Sequence, residues 1–345
     1  MLAQKPPMGW NSWNTFGENI SEELLMQTAD AIAASGLKEA GYEYVVIDDC
    51  WSLRERDADG NLAADPAKFP RGMKFLADYI HSRGLKFGMY SCAGTLTCAG
   101  YPSSFDHEFQ DAKRFADWGV DFLKYDFCNK PSQSFGPLLY HRMGIALKAS
   151  GREILFSACN WGSDEVEKWI RSSGAHMYRS TGDIGDSFVS FKDIALSQVS
   201  KLCCAAPGCF NDLDMLIVGM YGKGNVAVSG CTDAEYLMHF ALWCMMASPL
   251  MIGCDVRSMS DATKATLLNK ELLRINQDAE ARPAYRLHVH GGGETLYLFR
   301  HLENNEYALA AFNFGEHSVN NYVDFFEAGI PATSGYGMKL TEVLS

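Results

Sequence analysis

The chain has 345 residues, 47% hydrophobic and 21% charged, a globular composition long enough for one large domain and a smaller one. Its formal net charge of −12 disfavours nucleic-acid and anionic-membrane partners and suits a neutral substrate. No apolar run reaches membrane-spanning length, residues 1–7 are too short and polar for a signal peptide, and the 11 cysteines form no C-x-x-C pairs of zinc spacing. The expectation is a cytoplasmic chain, with most cysteines as buried thiols, unless a leader has been removed.

Residues 8–13, Met-Gly-Trp-Asn-Ser-Trp, are too dense in aromatics for a plain loop. Ser21 then caps a helix with Glu22 and Glu23 in its first turn, and Gly36 ends it. Residues 44–47 are a β-branched run that stops at Asp48-Asp49, and residues 75–82 are amphipathic up to Arg83-Gly84. A strand over 85–90, a loop over 92–102 and a helix over 105–118 lead to the strand 122–125, which ends at Asp126. Helix 138–149, strand 154–158, helix 165–171 and the short run Met177-Tyr178 repeat the pattern, the last ending at Arg179-Ser180-Thr181-Gly182-Asp183. A helix over 191–202, the carboxylate-rich Asn211-Asp212-Leu213-Asp214-Met215, a buried helix over 236–246, a strand over 250–252 and one or two helices over 262–276 follow.

Strands alternating with helices imply parallel pairing through right-handed crossovers, and eight such units close into a (β/α)8 TIM barrel of about 250 residues. From about residue 286 the helices cease, and the runs 295–299 and 307–312 read as antiparallel strands. The predicted organisation is an α/β barrel over 1–282 and a short, incomplete antiparallel β-sandwich module over 283–345.

In a parallel barrel the chemistry lies just after each strand, which selects Trp13, Asp48, Asp49, Tyr90, Lys124, Asp126, Trp161, Arg179, Asp183 and Asp214. The set is rich in carboxylates and aromatics and holds no histidine, against a metal hydrolase; no metal and no cofactor is expected. Carboxylates accept hydrogen bonds from adjacent sugar hydroxyls, and an indole packs on the apolar face of a pyranose. Lys124 and Asp126 share a face of their strand, which predicts an ion pair that keeps Asp126 ionised, as a nucleophile requires. Asp183, on a separate strand end, suits the acid, and the pair Asp48-Asp49 would grip hydroxyls.

Residues 8–13, Ile47-Asp48-Asp49-Cys50-Trp51, Lys124-Tyr125-Asp126, the 179–183 segment, Asn211-Asp212-Leu213-Asp214-Met215 and Arg274-Ile275-Asn276-Gln277-Asp278 resemble, in order, the motifs of glycoside hydrolase family 27. That family contains α-galactosidases and α-N-acetylgalactosaminidases. The resemblance implies a (β/α)8 barrel, a β-sandwich and a retaining, metal-free double displacement on a galactose-containing oligosaccharide. By motif, Asp126 matches the nucleophile and Asp183 the acid/base. Trp13, Asp48, Asp49, Tyr90, Lys124, Cys159, Trp161, Arg179 and Asp214 match the sugar-contacting positions. Retention predicts that the Asp126 and Asp183 carboxyls lie about 5–6 Å apart or slightly more.

Two departures stand out. Many secreted members pair a cysteine near the opening motif with the one matching Cys50; residues 16–20 hold none, so Cys50 is expected to be free, whereas Cys98 and Cys128 match a disulfide that frames the family's active site. The C-terminal module is also shorter than the family's sandwich, which predicts that Leu296, Leu298, Leu309 and Phe312 pack on barrel helices or are partly exposed. Members acting on N-acetylgalactosamine carry serine after the cysteine matching Cys159, and here Asn160 is bulkier, which favours galactose. α-N-acetylgalactosaminidase and β-L-arabinopyranosidase activities are the alternatives on the same site; a Schiff-base aldolase using Lys124 and a non-catalytic sugar-binding protein are those of other classes. The oligomeric state stays open, a homo-oligomer included.

Overall fold

The structure, a computed structural model, describes residues 2–330 and 337–344. Eight strands form one parallel sheet: β1 (Met8–Asn11), β2 (Tyr44–Val46), β3 (Lys86–Cys92), β4 (Phe122–Asp126), β5 (Leu155–Cys159), β6 (Met177–Arg179), β7 (Phe210–Asp212) and β8 (Leu250–Ile252). They neighbour one another in chain order, and β8 lies beside β1. A parallel bridge between Leu216 and Ile252 joins the remaining edges: Leu216 N–H donates to the Met251 carbonyl at 2.7 Å and Gly253 N–H to that of Leu216 at 3.0 Å. With parallel strands closed on themselves and helices outside, the chain forms the expected (β/α)8 barrel.

The outer helices are α1 (Trp13–Phe16), α2 (Glu22–Ala34), α3 (Gly72–Ser82), α4 (Glu108–Trp118), α5 (Gly136–Ala149), α6 (Phe188–Gln198), α7 (Asp233–Met245), α8 (Asp261–Leu267) and α9 (Lys270–Asn276). The Ser21 hydroxyl accepts from Leu24 N–H at 3.2 Å, as its place before two glutamates predicts. Thr232 and Glu235 cap α7 reciprocally. One helix is not as expected. Residues 165–171 fall in two short 3₁₀ segments, because Asp164 and Glu165 adopt φ of 57° and 53°. Tertiary bonds hold that turn: the Asp164 carboxylate accepts from Gly136 N–H at 2.7 Å, and its carbonyl accepts from the Trp169 indole at 2.8 Å.

Inside the barrel, side chains two apart along a strand share a face. Phe122 therefore points inward like Lys124 and Asp126, and it packs with Tyr44, Val46, Leu155, Met177, Met215 and Met251 as an apolar floor. One layer higher, Lys124 is in register with Ser157, and Arg179 with Asp212. The interior thus changes from apolar to charged toward the C-terminal strand ends.

Beyond the barrel, β9 (Tyr285–Arg286), β10 (Thr295–His301) and β11 (Tyr307–Asn313) form an antiparallel sheet. Leu296, Leu298 and Phe312 are buried in the same core cluster as the barrel residues, whereas Leu309 is exposed on the other face. Among the described residues this sheet has three strands and does not close into a sandwich.

Candidate active site

The strand ends bring the selected side chains to one mouth. Asp48 follows β2 by two residues, Asp126, Cys159 and Arg179 are the last residues of β4, β5 and β6, and Asp214 follows β7 by two. Asp48, Asp49, Tyr90, Asp126, Cys159, Arg179 and Asp214 are buried, Trp13, Lys124 and Trp161 half-buried, and Asp183 exposed.

Two ion pairs organise the mouth. Lys124 Nζ donates to Asp48 Oδ2 at 2.8 Å, and Asn11 Nδ2 donates to the same oxygen at 2.7 Å. The ammonium therefore pairs across strands with Asp48, not with Asp126 as predicted from their shared face. Burial is the largest single influence and works against the Lys124 charge, but Asp48 together with the other acidic groups around it, Asp126 included, outweighs burial and holds the group well above its ordinary value. In the second pair Arg179 Nη1 lies 2.8 Å from Asp214 Oδ1, and Nη2 donates at 3.0 Å to Asp183 Oδ1 and at 2.9 Å to the Gly182 carbonyl. Asp214 is fixed further by Ile184 N–H and Met215 N–H, each donating at 2.7 Å.

Asp126 lies between these pairs without a cationic contact. Its Oδ1 accepts from Phe127 N–H at 3.0 Å and its Oδ2 from the Tyr90 hydroxyl at 3.2 Å. Burial is the dominant influence and raises its carboxyl to about 6, with Lys124 pulling the other way. The lowered value that the neighbouring ammonium suggested is thus reversed, because Lys124 is committed to Asp48 and the carboxyl is almost fully desolvated. Burial also raises Asp49, Asp214 and the Cys159 thiol, which is thereby held neutral.

A loop after β3 closes one side. Cys98 is joined to Cys128 in a disulfide, with Cα atoms 5.1 Å apart, and Cys50 is free. The Tyr90 hydroxyl lies 3.4 Å from Cys98 Sγ, and Asp49 Oδ2 accepts from Ala99 N–H at 3.0 Å, so Asp49 ties this loop to the strand end. Among the described residues, Cys98, Asp126 and Cys128 are the group of potential ligand atoms close enough to hold a metal, within 4.8 Å of one another. The disulfide takes both sulfurs out of thiolate ligation. After β5, Trp161, at φ 57°, meets Phe127 edge-on at 6.3 Å, and after β1 the Trp13 backbone N–H donates to Asn11 Oδ1 at 2.8 Å. Asn160 is buried, and its amide donates to the Ser163 carbonyl at 2.9 Å, bracing the turn that carries Trp161.

Sequence reasoning passed over Asn11, Trp51 and Asp212. Trp51 donates to the Tyr90 carbonyl at 2.9 Å, and Asp212 lies below the mouth beside Arg179. The signal for Asp212 was the strand-end rule itself, since its strand ends at Asp212, two residues before the selected Asp214, whereas Asn11 ends a strand that was not expected.

A family model described as Alpha galactosidase A matches residues 5–278. The chain belongs to glycoside hydrolase family 27. It is similar to an alpha-galactosidase of Cyamopsis tetragonoloba, 47% identical over 278 residues that make up 80% of this chain and 65% of the plant protein. It is 43% identical to Alpha-galactosidase A of Cellvibrio japonicus over 336 residues, 94% of this chain and 80% of that protein. The crystal structure of alpha-galactosidase I from Mortierella vinacea superposes with a TM-score of 0.86 at 41% identity, covering 91% of this chain and 82% of that one. Family 27 membership and the barrel mouth thus converge, since the matched residues include every strand end described above.

Proposed function

We propose that this family 27 chain is a retaining exo-glycosidase that removes terminal α-linked galactose from oligosaccharides or glycoconjugates. The observation that carries the reading is Asp126: a buried carboxyl oriented by Tyr90 and Phe127, free of any cationic contact, with a second carboxyl, Asp183, held by Arg179 and near enough to act on the Asp126 charge. In this reading Asp126 attacks the anomeric carbon as the glycosidic bond breaks, and Asp183 gives its proton to the leaving oxygen. Asp183 then takes a proton from the water that releases the sugar from Asp126. Lys124 and Asp48 supply a paired donor and acceptor for sugar hydroxyls, Arg179 and Asp214 another, and Trp13 and Trp161 apolar faces. The alpha-galactosidases among the relatives support galactose as the sugar.

Incubation with p-nitrophenyl α-galactoside, followed by proton NMR of the first sugar released, tests both parts. Release of α-galactose is expected. Release of the β-anomer would mean inversion and remove Asp126 as nucleophile. Comparing kcat/KM with the N-acetylgalactosaminide and the β-L-arabinopyranoside tests sugar choice, and equal or better use of either would defeat the galactose reading.

A further inference from the structure

Asp212 is a carboxylate that the reaction above does not use. It ends β7, is 6% exposed, and is in register with Arg179 on β6. Its Oδ1 accepts from Asp214 N–H at 3.0 Å, and among the described residues no Lys, Arg or His nitrogen lies within the 4.0 Å of an ion pair. Arg179 directs both terminal nitrogens away, to Asp214, Asp183 and the carbonyls of Thr181 and Gly182. Its Nε–H, equally buried, has no acceptor among the described residues. A cavity of about 30 Å³ lies between these groups, lined by Asn11, Lys124, Cys159, Arg179, Asp212 and Asp214. Phe122, Met177, Met215 and Met251 of the apolar floor line its other side, and with Arg179 and Asp212 among its polar walls it is large enough for a bridging water.

An isolated buried anion is costly, and the mouth already holds Asp48, Asp126, Asp183 and Asp214 against Lys124 and Arg179. We propose that Asp212 is a positioning residue that works as a neutral acid, holding the buried side of Arg179 across the cavity without competing for its charge. The guanidinium then stays directed at Asp214 and Asp183. Burial acts in the same sense, raising the Asp212 carboxyl to about 7 against the pull of Arg179. The titratable groups around it are Arg179 on β6, Lys124 on β4, Cys159 on β5 and Asp214 after its own strand. A raised carboxyl is neutral below its folded value and ionises above it, so the positioning is lost as pH rises through about 7.

This inference rests on the galactosidase reading for its kinetic test but not for its spectroscopic one. The substrate is 2,4-dinitrophenyl α-galactoside, whose departure needs little help from the Asp183 proton, so its kcat/KM carries little of that group's titration. The wild-type kcat/KM is expected to fall as pH rises through about 7. Asp212→Ala is expected to lose about tenfold or more at about pH 5.5, and Asp212→Asn, neutral and of the same shape, to recover to within about threefold without the step near 7. Asn as impaired as Ala, or a wild-type profile without the alkaline step, overturns the proposal. Infrared spectroscopy of the sugar-free protein gives a second readout: a protonated carboxyl band that titrates away near 7 and is missing from Asp212→Asn. Absence of that band overturns the proposal even if no galactoside is turned over, an outcome that would by itself defeat only the functional reading. If neither variant folds, the wild-type profile still decides.

Discussion

In the proposed mechanism Asp126 is subject to opposing demands, since burial favours its neutral form and attack on carbon would need the anion. With its carboxyl raised to about 6, the group is protonated below that value, so kcat/KM should fall as pH decreases through about 6. Tyr90 donates to the anion at 3.2 Å, and a donor to the charged form favours it. Tyr90→Phe should therefore move this acid limb upward and lower kcat/KM by about tenfold to a hundredfold. A pH profile of both proteins checks this, and an unmoved limb would show that the hydroxyl does not act on the nucleophile. Asp126→Ala should lose turnover by on the order of 10⁴-fold or more with any substrate. Asp183→Ala should lose about 10² to 10⁴-fold on an alkyl galactoside and far less on an activated aryl one, because a good leaving group needs little protonation. Equal losses on both substrates would remove Asp183 as the acid.

The loop after β3 acts through its attachment to the β4 strand end. Ala93 N–H donates to the Asp126 carbonyl at 2.9 Å and Thr95 N–H to that of Asn129 at 3.1 Å, and the disulfide links Cys98 to Cys128. Gly94 permits this approach, since a Cβ there would overlap the Cys128 carbonyl oxygen. Gly94→Ala must push the two loops apart, which should cost about 1–3 kcal/mol of stability and impair kcat/KM, because Tyr90 and Asp126 sit on those two strands. Thermal unfolding and kinetics check it; a variant equal to wild type in both would mean that the loops adjust freely. The barrel itself was legible in the alternation of apolar runs and helices, and the strand-end rule located Asp48, Asp126, Arg179 and Asp214 because parallel strands place their last inward side chains at one mouth. Strand β1 escaped because all four of its residues are buried, leaving no alternation to read. The partner of Lys124 escaped for another reason. Strand period fixes which face a side chain occupies but not which neighbour across the barrel it reaches, and Asp48 is 76 residues away.

At the scale of the whole molecule, the question is whether the three-stranded sheet is an appendage or part of one cooperative unit. Its inner face belongs to the barrel's core: Leu296, Leu298 and Phe312 share a cluster with Trp243 and Met245 of α7. Arg300, buried on β10, donates to the Cys244 carbonyl on α7 at 3.1 Å and to the Arg282 carbonyl at 2.8 Å, so a polar link accompanies the apolar one. Truncating a fully buried leucine costs about 2–5 kcal/mol through lost transfer energy and an unfilled cavity. Leu298 is 0% exposed, and Leu298→Ala should fall in that range, whereas Leu309→Ala, on the exposed face, should change stability little. The seven tryptophans all precede residue 244, so their fluorescence follows the unfolding of the barrel. If the core is shared, Leu298→Ala will lower the denaturant midpoint seen by tryptophan fluorescence, and that transition will coincide with the loss of activity. A barrel transition unmoved by Leu298→Ala would make the sheet an independent appendage, because a substitution confined to a separate unit cannot alter unfolding reported from outside it.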